Sequence, residues 1–96
     1  MAVLRVHRYR VADGDLDTLL TQRATLIDGI RKAVPGLTQT RLTRLEDGSY
    51  TDTWCWESAE QMLTALGASQ GLPLTAAAMA LTADATVQNG EIVDER

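Results

Sequence analysis

The chain has 96 residues, 45% hydrophobic and 23% charged, with a net charge of −4. That composition describes one globular domain over residues 1–96 and argues against disorder. Phenylalanine is absent and only 4% of residues are aromatic, so the core rests on Leu, Val, Ile, Ala and Met, a light core that favours an oligomer.

Residues 2–11 alternate and are rich in Val, Tyr and Leu, which predicts a strand. Ala12-Asp13-Gly14-Asp15 reads as a turn, with Asp13 or Asp15 as the cap of a following helix. In that helix Leu16, Leu19, Leu20, Ile27, Ile30 and Val34 form one apolar stripe, and Pro35-Gly36 ends it. Residues 37–45 predict a second strand, and Asp47-Gly48 a two-residue hairpin loop into a third strand over 49–57. Ser58 and Gln61 have the spacing of a capping box for a helix over 59–68, broken by Gly67, Gly71 and Pro73. A short Ala-rich helix over 74–81 follows. The last strand is expected over 85–94, with Asn89-Gly90 as a bulge or tight turn inside it. The order β-α-β-β-α-(α)-β implies a ferredoxin-like α+β sandwich: an antiparallel four-stranded sheet with helices on one face.

Both tryptophans fall in the stretch TWCWES, two residues apart on the third strand. Trp54 and Trp56 therefore share one face. With Asp47 and Gly48 as the loop, Glu46 pairs with Ser49, Leu45 with Tyr50, Thr43 with Asp52, Arg41 with Trp54 and Gln39 with Trp56. One face then gathers Trp54, Trp56, Gln39 and Arg41, with Arg5, His7 and Tyr9 of the first strand. The other gathers Leu4, Val6, Thr40, Leu42, Thr53 and Cys55. Arg, His and Gln are costly in a dry core without partners. A cavity under the helices resolves that conflict, and the second face is free to pack against another copy of the chain. Rings with a few polar groups are the usual make-up of a small-molecule site. The site expected is Trp54 and Trp56 as walls, Arg5, Tyr9, Gln39 and Arg41 as binding groups, and His7 as the base. The plainer readings are core tryptophans, a cation–π pair of Arg41 with Trp54, a satisfied histidine, an inert buried Cys55 and a solvated Asp52.

Residues 1–45 carry eight Arg or Lys against four Asp, and residues 46–96 carry Arg96 alone against nine acids. The basic residues fall singly, which predicts local partners, and the acidic total disfavours nucleic acid. One cysteine and one histidine offer no disulfide and no metal cluster. No run has membrane-spanning length and the first residues lack the apolar core of a signal peptide, so a cytoplasmic location and no membrane partner are expected.

The opening LRVHRYRVADG, the helix end VPGLTQ, the DG hairpin and WESAEQMLTALGAS together resemble the antibiotic-biosynthesis-monooxygenase group of the dimeric α+β barrel superfamily. The resemblance implies a homodimer whose two sheets form a barrel, and a pocket between each sheet and its helices. It implies a cofactor-independent monooxygenase acting on a small planar aromatic, of polyketide or quinol type. Its alternatives are a non-catalytic small-molecule-binding dimer, or a polyketide cyclase or isomerase on the same fold. A glutamate common in the family falls at Trp54, and a histidine that holds iron in its haem-degrading branch falls at Leu66. Neither is present, and no haem or other cofactor is expected.

Overall fold

The expected order of elements forms: β1 (Val3–Val11), α1 (Leu16–Ala33), β2 (Leu37–Arg44), β3 (Tyr50–Trp56), α2 (Ala59–Ser69), α3 (Pro73–Ala80) and β4 (Thr82–Glu91). This computed structural model describes residues 1–70 and 72–96; Gly71, expected to help break α2, lies outside the described residues. The strands form one antiparallel sheet in the order β2-β3-β1-β4, the ferredoxin-like arrangement, with the helices against the tryptophan face.

Local chemistry explains the boundaries. The Asp15 amide donates to the Ala12 carbonyl at 3.0 Å, and Gly14 takes φ +91, a left-handed conformation that suits glycine. Asp15 occupies the N-cap of α1, but its side chain makes no capping hydrogen bond. Val34 ends the helix in extended geometry, as a residue before proline must. Ser58 caps α2 by accepting the Gln61 amide at 3.2 Å; the reciprocal bond of a full capping box is not made. β4 starts three residues earlier than expected. Asn89 and Gly90 lie within regular pairing, opposite Arg5 and Leu4. The irregularity falls instead between Arg8 and Arg10, near Asp84, whose φ of +55 an aspartate tolerates better than most residues.

The β2–β3 register departs from expectation by one residue. The Leu45 amide donates to the Ser49 carbonyl at 2.8 Å, so Glu46, Asp47 and Gly48 form a three-residue loop. Gly48 has φ +84, the left-handed residue that closes such loops. Asp47 favours this loop because its carboxylate accepts the Ser49 amide two residues on, at 2.9 Å. Thr40 thus faces Trp54, Leu42 faces Asp52 and Arg44 faces Tyr50, while Arg41 pairs with Thr53 and Gln39 with Cys55. A shift of one inverts the whole strand. Thr40 and Leu42 lie on the helix side, and Gln39 and Arg41 on the opposite face with Leu4, Val6, Thr53 and Cys55. No Arg41–Trp54 cation–π pair forms; the guanidinium over a ring is that of Arg44, 5.4 Å from the centre of Tyr50.

The core is divided. Val3, Ile27, Ile30, Val34, Leu37, Trp56, Met62 and Ala65 form one buried cluster. Tyr9, Leu19 and Tyr50 form another, flanked by Leu42, Ala78 and Leu81. Leu20 lies off the buried stripe of α1 and is exposed.

Candidate small-molecule pocket

Between the two clusters lies a cavity of about 450 Å³, inside the range of roughly 300–1,000 Å³ usual for small-molecule sites. β1 supplies Arg5, His7 and Tyr9 to its floor, and β3 supplies Asp52, Trp54 and Trp56. These meet as cross-strand partners: Arg5 opposite Trp54, and His7 opposite Asp52. The roof is apolar, with Leu19, Leu26 and Ile30 from α1, Ala65 and Leu66 from α2, and Ala78 and Met79 from α3. Arg23 of α1 and Thr75 of α3 add polar groups.

The two indoles sit with ring centres 6.5 Å apart and planes tilted by 36°. Trp56 is 2% exposed and belongs to the core beneath the cavity; Trp54, half-buried, is the wall. The position of Trp54 is fixed by its own hydrogen bond, Nε1 to Asp52 Oδ1 at 2.8 Å.

Asp52 organises this end of the site. Arg23 donates Nη2 to Oδ1 at 2.8 Å and Nε to Oδ2 at 3.0 Å, a bidentate pair with side chains 15% and 9% exposed. The Tyr9 hydroxyl donates to Oδ2 at 2.9 Å. Burial, followed by the charge and hydrogen bond of Asp52, pushes the Tyr9 hydroxyl pKa well above its ordinary range, so Tyr9 stays protonated as a donor. His7 moves the other way. Burial first and the neighbouring Arg5 charge second push its pKa down, against a smaller upward pull from Asp52. His7 is therefore a neutral imidazole at neutral pH, with a free lone pair able to accept a proton.

The structure brings together Arg5, His7, Tyr9, Trp54 and Trp56 in one cavity. It does not bring Gln39 and Arg41, which the register places on the other face. Gln39 lies instead at an open hollow by the sheet edge, lined also by Ala2, Thr38, Trp56, Glu57, Ile92 and Glu95. That hollow is more polar and more open to solvent than the cavity under the helices, whose walls are mostly apolar. Two central residues were not expected there. Asp52 is buried, not solvated; its signal was its parity with Trp54 and Trp56 along β3. Arg23 stands among Leu19, Leu26, Ile27 and Ile30 on the buried line of α1, where a lone cation signals a buried partner.

The fold is similar to that of solved structures described as an antibiotic biosynthesis monooxygenase and as a dimeric ferredoxin-like protein. No family profile and no curated protein matches the chain. Among solved structures it is similar to SnoaB of Streptomyces nogalater, a cofactor-independent oxygenase: 22% identity, TM-score 0.79, covering 98% of this chain and 95% of that one. It is also similar to an antibiotic biosynthesis monooxygenase, with 15% identity, TM-score 0.73 and coverage of 96% and 99%. A dimeric ferredoxin-like protein from an uncultured marine organism gives 14% identity, TM-score 0.72 and coverage of 99% and 90%. At these identities the likeness is one of fold.

Proposed function

We propose that the chain is a cofactor-independent monooxygenase-like protein acting on a small planar aromatic substrate, of polyketide or quinol type, and that it works as a homodimer. The observation that carries this reading is the cavity itself, with an anchored indole wall beside a neutral histidine and a guanidinium. In an anthrone-type reaction His7 takes a proton from the ring methylene. The resulting enolate gives one electron to O₂, superoxide recombines with the carbon radical to form a C–O bond, and the His7 imidazolium returns its proton to the peroxide oxygen. The hydroperoxide loses water and leaves a quinone carbonyl. One oxygen atom enters the product, the other leaves as water, and the substrate supplies all the electrons. Trp54 stacks the ring and Arg5 holds the oxyanion. Closure by a roof of Leu, Ile and Ala excludes bulk water from the anion. The substrate's electron-rich anion needs no metal in this scheme.

The open sheet face supports the dimer: Leu4, Val6, Thr51, Thr53 and Cys55 are only half-buried in the single chain and no helix covers them. Leu66, where the resemblance implied the haem-degrading branch's iron ligand, lies in the apolar roof, which speaks against a haem site.

Oxygen uptake with an anthrone such as 1,8-dihydroxyanthrone tests the reading. The expected result is turnover without added cofactor, slowed roughly 10²-fold or more in His7→Ala, the scale of losing a general base. In that variant ring binding is retained. Tight binding with no oxygen uptake above the spontaneous rate shows a binding protein instead.

A further inference from the structure

Resting on that reading, we propose that the cavity takes its planar ligand as an anion, and that Arg5 is the residue that selects a ring-borne carboxylate or acidic phenol over a neutral analogue. Among the described residues, the charges that line the cavity are Arg5, Arg23 and Asp52. Arg23 and Asp52 cancel each other through their bidentate pair. His7 is neutral and Tyr9 is held protonated. One positive charge therefore remains in the cavity of a chain whose net charge is −4, and it belongs to Arg5.

Arg5 has no ion-pair partner among the described residues. Its one side-chain hydrogen bond is Nη1 to the neutral Asn89 amide oxygen at 3.0 Å. Its Nε is buried and finds no acceptor. A guanidinium presents five N–H donors, matched in shape to a carboxylate. Trp56 Nε1, a donor-only group, and Thr75 Oγ1 are likewise buried without a partner, and both residues line the same cavity. Apart from the lone pair of neutral His7 and the Thr75 hydroxyl, which can donate or accept, the unmet groups are donors and positive charge. The cavity offers positive charge and N–H donors, while its single carboxylate is saturated by Arg23, Tyr9 and Trp54. A ligand brings what such a wall lacks: acceptor oxygens and a negative charge.

The placement also gives the anion a second effect. Arg5 is two residues from His7 on the same face of β1, and its charge helps hold the imidazole unprotonated. Arg23 and Asp52 also face His7, from α1 and β3, but as a cancelled pair. An anion docked on Arg5 removes the unbalanced charge and makes His7 the stronger base once substrate is bound.

Titration calorimetry with the full-length protein, comparing anthraquinone-2-carboxylate with the uncharged anthraquinone-2-carboxamide, tests the proposal. The carboxylate is expected to bind at least 10-fold more tightly. Arg5→Met should bring it down to the affinity of the amide, and Arg5→Lys should keep part of the preference. In a proton NMR titration the single histidine should show a higher pKa with the carboxylate bound than with the amide bound. Equal affinity of the two probes for the wild type overturns the proposal and leaves the aromatic site standing, as does a preference that survives in Arg5→Met. If neither probe binds, the aromatic-ligand reading falls as well.

Discussion

Asp52→Asn is the substitution that puts the most weight on one atom group. The carboxylate accepts from Arg23 twice, from the Tyr9 hydroxyl and from the Trp54 indole, all within 2.8–3.0 Å. An amide of the same shape keeps one acceptor oxygen, turns an NH₂ toward the remaining donors and removes the negative charge. Arg23, 15% exposed at its side chain, is left buried without a counter-charge. Breaking a buried pair from one side costs about 3–5 kcal/mol, a large share of the ~5–15 kcal/mol that holds a domain together. For a domain of this size the melting temperature should fall by at least roughly 12 °C. Urea denaturation followed by far-ultraviolet circular dichroism reads the effect. The cycle with Arg23→Met isolates the pair: the double variant should be more stable than the sum of the single losses predicts by about 1–3 kcal/mol. A loss under about 1 kcal/mol in Asp52→Asn, or strictly additive single losses, refutes the assignment of Asp52 as the organiser of the site.

Stability should depend on pH at both ends. The His7 pKa is held below its ordinary 6.5, so the unfolded chain binds a proton that the folded chain refuses; stability is full above that value and declines on acidification below it, a dependence that His7→Gln should remove from thermal melts. Tyr9 is shifted upward from 10.0, so the unfolded chain releases a proton that the folded chain keeps; stability should decline as pH rises beyond 10, and less so in Tyr9→Phe. Gly48→Ala should destabilise by about 1–2 kcal/mol, the strain of a left-handed alanine, since no atom lies within 4 Å of the new Cβ; an unchanged urea midpoint would contradict the three-residue loop. Sedimentation at micromolar concentration should give a dimer, and Val6→Asp on the open sheet face should shift it to monomer; a wild-type monomer removes the barrel proposal.

Elements whose residues carry a periodic pattern were legible in the sequence. β1 and β3 alternate, α1 repeats at helical spacing, and the gathering of Arg5, His7, Tyr9, Trp54 and Trp56 around one cavity follows from that alternation. Gln39 and Arg41 did not, because their placement hung on the loop. Asp47-Gly48 fits both a two-residue and a three-residue hairpin, and the choice lies with a side-chain bond from Asp47 to the Ser49 amide. The early start of β4 is set by pairing of Thr82 and Ala83 with Val11 and Arg10, a long-range contact with no local signature. Asp52 was misread because an aspartate near a hairpin is ordinarily solvated. The partner that buries it, Arg23, lies 29 residues away on α1.

A crystal structure of the protein soaked with 1,8-dihydroxyanthrone under argon shows whether the space between sheet and helices receives a planar ring. The expected result is ring density in van der Waals contact with the face of Trp54, with an oxygen toward Arg5 and the ring methylene within reach of His7. Density in the open hollow beside Gln39, or an unliganded cavity at saturating concentration, would contradict it.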